Sequence, residues 1–414
     1  MGRLLENHSK QLLAEHQIPV PRFFVAGNEA EAIEKAEALG CEVVLKALVP
    51  VGKRGKAGAI KFATDAKSSG EAARQLFGTV VRHYPVKQIL VEEKLAIDQE
   101  LYVSITLDKP ARKIAILASS AGGIDVEEIS AKYPDRMKIL RVDPFRGLAD
   151  FQAKQLWAEL GLGGAVLRQA TDVLIKLYKV FVKFDCTILE INPLVITKNA
   201  KVVVAASLMA VDDCAMYRHP ELAAYVQLGS DRAWRPMTAL EKQVVQVNED
   251  DPYRGTARYT EMDGGDIGFM CGGGGGSLMM FDALLSYGCK PANYTEFGGN
   301  PPERKVFGLV KGILSKAGVK GLILSANISN NTQVDVVARG VVGALKDKAI
   351  DPRKFPVLVR FAGVNDTAAR EIFKEAGVEY YGEEISMSMA AKKMMEKMKQ
   401  TYPGSQESQA ASGA

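Results

Sequence analysis

The sequence predicts an α/β protein in two parts, a mixed α+β portion followed by an open, mostly parallel, doubly wound sheet. From Asp266 onward, short apolar runs alternate with helical patterns in five strand–helix units. Those runs repeatedly end in a small or polar loop with a helix directly behind it, the layout that lines the carboxyl edge of a parallel sheet. Before residue 240 strands instead follow one another across tight turns such as Asp108-Lys109-Pro110 and Lys198-Asn199-Ala200, as antiparallel neighbours do.

In chain order, helical spacing covers 6–16 and an Ala/Glu-rich helix covers 29–39. Strands at 42–47 and 59–63 flank a glycine-bearing basic loop, and a helix follows at 69–77. Strands are expected at 88–92, 100–107 and 112–119, helices at 153–160 and 166–181, then a strand at 187–191 with its hairpin partner at 201–206. The polar segment 232–258 holds the join, near 240. Beyond it strands at 266–272, 292–297, 319–326, 356–361 and 379–381 alternate with helices at 277–288, 302–316, 331–346, 366–376 and 386–399. The expected domains are therefore 1–240 and 241–400. Residues 401–414, rich in Ser, Ala, Gly and Gln, read as a disordered tail.

With 414 residues, 47% hydrophobic and 25% charged, the composition is that of an ordinary soluble globular protein. A net charge of +4, with both signs interspersed, demands no nucleic-acid partner. The chain carries no run of about 18 apolar residues and no apolar N-terminal signal, which argues against a membrane. Its five cysteines are scattered without a C-x-x-C pair, so a reducing cytoplasm and buried, inert thiols are expected. The four histidines lack metal-site spacing.

Chemistry concentrates in loops. Met270-Cys271 leads into Gly272–Gly276 and Ser277, Phe297 into Gly298, Gly299 and Asn300, and Leu324 into Asn327–Thr332. Helix N-termini behind such loops offer unpaired N–H groups to phosphate or carboxylate, so an anionic small molecule is the expected ligand. Near the N-terminus, Lys46 precedes Gly52-Lys53-Arg54-Gly55-Lys56, a cradle in which glycines admit phosphate to the backbone while lysine and arginine supply charge. Glu92 and Glu100 place acids at a strand end and on the next strand, and Glu190-Ile191-Asn192-Pro193-Leu194 adds another acid and amide.

Together these motifs resemble the ATP-grasp β-subunit of succinyl-CoA synthetase and its relatives malate–CoA ligase, citryl-CoA synthetase and ATP-citrate lyase. The resemblance runs from Glu6 to about Lys397, and the Glu-Ile-Asn-Pro-Leu-Val run at 190–195 is its most specific part. It implies an N-terminal ATP-grasp domain and a flavodoxin-like CoA-ligase domain. It assigns Lys46, Lys53, Arg54, Gly55, Glu92, Leu95 and Glu100 to an ATP or GTP site and Asn192 to magnesium. Gly273, Gly274, Ser277, Gly298, Gly299, Asn330, Asn331, Thr332 and Arg360 fall to a di- or tricarboxylate, with Ser329–Thr332 and Gly272–Ser277 similar to the citrate segments of ATP-citrate lyase.

The resemblance also implies an α-subunit partner in a hetero-oligomer, carrying a phosphohistidine and most of the coenzyme A site. Phosphate would pass from ATP to that histidine, then to the acid as an acyl phosphate, which CoA displaces. One departure stands out: where the family has a metal-binding aspartate and, two residues on, a lysine, this chain has Ala206 and Leu208. Asp212 or Asp213 could stand in for the lost carboxylate. Three readings follow: a working β-subunit, a degenerate subunit that binds acid or partner without ATP chemistry, and an unrelated ATP-grasp ligase or carboxylase. The five-unit doubly wound C-terminal half speaks against the third.

Overall fold

Val43–Ala47 and Ile89–Glu93 are almost continuously apolar and buried, which is why they occupy the centre of a sheet. The computed structural model describes residues 2–52, 54–123, 128, 134–227 and 237–403. Two units divide the chain, Met1–Pro236 and Met237–Ala414. In the first, a four-stranded antiparallel sheet runs in the order Phe23–Ala26, Ile89–Glu93, Val43–Ala47, Ile60–Ala63. Helices Glu29–Leu39 and Ala66–Phe77 close its apolar face with Ala32, Ala36, Leu39, Ala73 and Leu76. Asn28 and Asp65 cap them by accepting from the N–H groups of Glu31 and Ser68.

The larger sheet of this unit is antiparallel, ordered Met137–Val142, Lys113–Ser119, Ile97–Asp108, Cys186–Thr197, Ser207–Val211, Gly2–Leu4, Val226–Gln227, with Val202–Val204 paired to Cys186–Thr197. Leu101, Val103 and Ile105 alternate inward against Trp157, Leu174, Leu177 and Phe181 of helices Asp150–Glu159 and Gly164–Lys183. The strand expected at 187–191 continues to Thr197 across the cis Asn192–Pro193 bond, with a register shift between Ile191 and Leu194. Its expected partner at 201–206 breaks into Val202–Val204 and Ser207–Val211, because the Ala205 carbonyl turns away to accept from two lysines.

In the second unit five parallel strands take the order Asn293–Phe297, Ile267–Gly272, Gly321–Gln333, Val357–Val364, Glu379–Tyr381. This is the 2-1-3-4-5 order of flavodoxin-like sheets. Ala257–Glu261 adds an antiparallel edge. Helices Gly274–Ser286 and Met387–Thr401 pack on one face. Ala239–Glu249, Glu303–Ser315, Val334–Asp347 and Asp366–Glu375 pack on the other.

The helix Ala239–Glu249 occupies part of the expected linker, and its start is fixed by a Thr238/Glu241 capping box. Of the expected tail, Thr401 is still helical and residues 404–414 lie outside the described ones. No helix among the described residues is long and apolar enough to cross a membrane.

Candidate functional site

Where the two sheets of the first unit meet, five charged side chains form one network. Glu6 and Lys10 lie one turn apart on helix Glu6–Glu15, Lys46 and Glu92 come from the two central strands of the smaller sheet, and Arg54 from the glycine loop. Lys10 meets Glu6 at 2.9 Å and also Glu92; Lys46 meets Glu92 and, at 3.3 Å, Glu6; Arg54 closes the far side on Glu6. Lys10 and Lys46 both donate to the Ala205 carbonyl, at 2.7 and 2.8 Å.

All but Arg54 are buried. Burial pushes the Glu6 carboxyl up, but Arg54, Lys10 and Lys46 outweigh it and hold it well below the usual carboxylate range. Burial also works against the charged lysines. It prevails at Lys10, whose pKa is lowered, while Glu6 and Glu92 prevail at Lys46, whose pKa is raised. The cluster is thus a preset cationic wall with three positive groups against two negative ones.

Glu92 binds two lysines from within the wall. Leu95 sits in the short link between strands of the two sheets, half-buried. Gly55 lies in an exposed turn closed by Gly58 N–H to its carbonyl, while Lys53 falls outside the described residues. Glu6 and Lys10 went unread in the sequence, although their i,i+4 spacing was a legible sign.

Glu100 and Asn192 are brought together by a glycine. Gly123 donates its N–H to Asn192 Oδ1 at 2.8 Å, and a Cβ at Gly123, whose φ is +74°, would fall 2.0 Å from Glu100 Oε2. Glu190 pairs with Leu208 across the sheet and shares its face, while the Asn192 N–H reaches the Ala206 carbonyl at 3.2 Å. A Cβ at Gly52 would stand 3.7 Å from Leu208 Cδ1, so position 208 looks onto the phosphate-cradle loop. Asp212 lies six residues along from Ala206, about 20 Å at strand rise, and its side chain accepts from the Cys214 N–H. The Asp212 carboxylate is thus engaged in its own local turn, away from position 206.

In the second unit three loops converge on the crevice where strand order reverses, between Ile267–Gly272 and Gly321–Gln333. The first hydrogen bond of helix Gly274–Ser286 is Ser277 N–H to Gly273 O, which leaves the amides of Gly274, Gly275 and Gly276 directed out of the helix start. A Cβ at Gly276 would press on the Asn327 amide at 3.0 Å, and one at Gly299 on Asn331 Nδ2 at 3.1 Å; glycine is what lets the loops meet. Thr332 Oγ1 accepts from the Asn300 N–H at 3.1 Å and stitches the second loop to the third.

Gly298 continues the edge pairing through Thr256 O, and Asn330 is exposed. The helix expected to begin near Ser329–Thr332 starts instead at Val334, since strand pairing with Val357–Val364 carries that segment on to Gln333. Its groups act as strand-end and loop groups.

Arg360 is held by main-chain carbonyls. It is buried, with Nε donating to Ile385 O at 3.0 Å and Nη1 to Ala326 O at 2.6 Å. Through Nε and Nη1 it ties the carboxyl ends of the sheet together. Arg360→Met is accordingly expected to cost about 1–3 kcal/mol of stability, the range for unpaired buried carbonyls, while changing acid affinity less than threefold. Thermal melts and calorimetry on the same preparation check both halves.

Cys186, Cys271 and Cys289 are buried as expected, and burial pushes the Cys271 thiol up to about 12 and Cys289 to about 11. Cys41 and Cys214 are exposed.

The ATP-grasp domain family model matches residues 3–196, and the ATP citrate lyase citrate-binding family model matches residues 235–397. Over 381 residues the chain is 33% identical to the succinate–CoA ligase [ADP-forming] β-subunit of Staphylothermus marinus, covering 92% of this chain and 95% of that one. The chain belongs to the succinate–CoA ligase β-subunit family. Another member, from Geobacillus thermodenitrificans, is 34% identical over 399 residues, covering 94% of this chain and 98% of its own. Among solved structures, an ATP citrate lyase from Methanothrix soehngenii shares the fold with a TM-score of 0.78 at 20% identity, over 96% of this chain and 100% of that one.

Within this family's frame the sequence-predicted residues fall into three groups. Lys46, Arg54 and Glu92 belong to the first unit's charge network, Glu100 and Asn192 meet at Gly123, and the glycine, Asn and Thr residues sit around the second unit's crevice. Glu190, read in the sequence as a further acid, and Glu296, which was not assigned to binding, lie beside them.

Proposed function

We propose that this chain is the β-subunit of an ATP-dependent acid–CoA ligase that works in the cytoplasm with an α-like partner. The first unit binds ATP or GTP, the second binds a di- or tricarboxylate, and the partner supplies the phosphohistidine and most of the coenzyme A site. The observation that carries this reading is the convergence of three anion-binding loops at the sheet's switch point in a chain similar to ligase β-subunits over nine-tenths of its length. Lys46 and Arg54 would bind phosphates as a preset cationic wall that needs no reorganisation. The outward amides of Gly274–Gly276, with Asn330 and Asn331, would orient the acid's carboxylates.

Such a nucleotide site implies magnesium, and the oxygen donors that fit it are few. The Asn192 amide oxygen would hold the ion, with Glu190 on the same strand and Glu100 beside Gly123 as carboxylates, while positions 206 and 208 opposite are Ala and Leu. When bound, the ion neutralises phosphate charge. That thin donor set favours a second reading, an acid-binding subunit with little phosphoryl transfer.

One experiment separates the two. The chain is mixed with its partner, magnesium, ATP, CoA and a panel of succinate, malate and citrate. ADP and acyl-CoA forming together, dependent on one of the acids, is the expected result. Acid binding without ADP would leave the second reading standing.

A further inference from the structure

A lysine ammonium carries three N–H donors and no acceptor, so its bonding capacity can be counted. Lys10, completely buried, uses all three: on Glu6 Oε1 at 2.9 Å, on Glu92 Oε2, and on the Ala205 carbonyl at 2.7 Å. It keeps neither a donor nor any exposed surface for a ligand. Lys46 makes the matching set with Glu92 Oε1, the Ala205 carbonyl at 2.8 Å and Glu6 Oε1 at 3.3 Å, the last being its longest contact. Of the two lysines only Lys46 has any exposed side chain, 8%. Arg54 holds the other oxygen of Glu6. Ser9, beside Lys10 on the same helix, bonds Ser207 of the larger sheet at 2.7 Å with both hydroxyls buried, which pins the helix that carries Lys10.

Two lysines thus share Glu6 Oε1, and only one of them can turn to a ligand. When Lys46 exchanges its long contact for a phosphate oxygen, Lys10 stays on Oε1 and Arg54 on Oε2, so no carboxylate oxygen is stranded. Without Lys10, Lys46 would be the sole cation on Glu92 and on Glu6 Oε1, and its turning away would bare a buried charge. We infer that Lys10 is a positioning residue of the nucleotide site, one that does not touch the ligand and acts by releasing Lys46 to phosphate. This rests on the nucleotide-site reading above and adds a residue that reading does not use. The charge of Lys10 matters as much as its place. Three cations face two carboxylates, and with Lys10 neutral the wall would have no net charge to set against a polyphosphate.

The test is titration of the full chain with ATP by calorimetry and with adenosine, its phosphate-free counterpart, by ligand-observed NMR, with a thermal melt of each preparation. Adenosine keeps the base and ribose contacts, so the ratio of the two affinities isolates the phosphates, and a residue that only held the fold together would not shift it. Lys10→Gln keeps a donor for the Ala205 carbonyl but removes the charge, and is expected to lower the ATP-to-adenosine ratio about tenfold or more. Glu92→Gln removes a carboxylate that also holds Lys46, and is expected to raise the ratio about threefold or more. The double variant loses one charge of each sign and should return to within about threefold of wild type. Because its remaining buried charges stay paired, it gives a reading even where a single variant does not fold. A Lys10→Gln ratio within about threefold of wild type, an unchanged or lowered ratio in Glu92→Gln, or a double variant about tenfold below wild type overturns the inference and leaves the nucleotide site standing. If wild type binds ATP no more tightly than adenosine, the nucleotide-site reading itself falls and the inference with it.

Discussion

Replacing Ala206 by aspartate together with Leu208 by lysine is expected to accelerate phosphoryl transfer to the partner's histidine tenfold or more. The cleft presents Asn192 and Glu190 on one strand and nothing ionisable at 206 and 208 on the facing one. Magnesium is usually held by one or two carboxylates plus substrate phosphates, so a second carboxylate should tighten it. Each 1.4 kcal/mol recovered in the transition state is worth about tenfold in rate. The lysine belongs in the same variant, because an aspartate added beside phosphate without a cation introduces repulsion. Position 208 already looks onto Gly52 of the phosphate-cradle loop, so a lysine there would reach that loop.

Rapid-quench measurement of phosphohistidine decides the matter. Unmodified protein that already transfers at about 1–100 per second, the ordinary range for kinases, would mean that Glu190 and Asn192 suffice to hold the metal. Asp212 cannot explain such a result from its distant end of the strand. An unchanged rate in the double variant would mean that metal affinity is not what limits the step.

The sequence made the second unit legible almost strand by strand, because parallel strands buried on both faces leave unbroken apolar runs such as Leu322-Ile323-Leu324 bounded by loop residues. Edge strands were not legible. Phe23–Ala26 and Ala257–Glu261 are short and half-exposed and exist through their pairing with distant partners, which no local pattern records. Among site residues, loop glycines could be read because close approach demands them, as at Gly276 against Asn327. Charge partnership could not. Lys46 looked like a free phosphate ligand from its place at a strand end, and only the fold shows Glu6 arriving from a helix forty residues away to share it. The carbonyl partners of Arg360, at 326 and 385, were hidden for the same reason, since they lie on other elements.

Lys46→Met is expected to remove nucleotide binding and also to cost stability, about 3–5 kcal/mol, the range for breaking a buried ion pair by deleting one partner. In the structure its ammonium is enclosed by Glu6, Glu92 and the Ala205 carbonyl, so deletion leaves two buried carboxylates short of a cation. Pairing Lys46→Met with Glu92→Gln should recover part of that loss, because one cation and one carboxylate leave together and Glu6 keeps Lys10 and Arg54.

The pH dependence follows from Glu6, whose folded-state pKa is depressed. Its contribution is fully present above the unfolded value of about 4.3 and is lost as pH falls through the lower folded value. Removing Lys46 raises the Glu6 pKa, so the variant should lose stability at a higher pH than wild type as acid is added. Chemical denaturation of wild type, both single variants and the double variant, repeated from neutral pH down to about 3, tests the argument. Additive losses, or acid profiles that superimpose, would mean that the five charges do not act as one network.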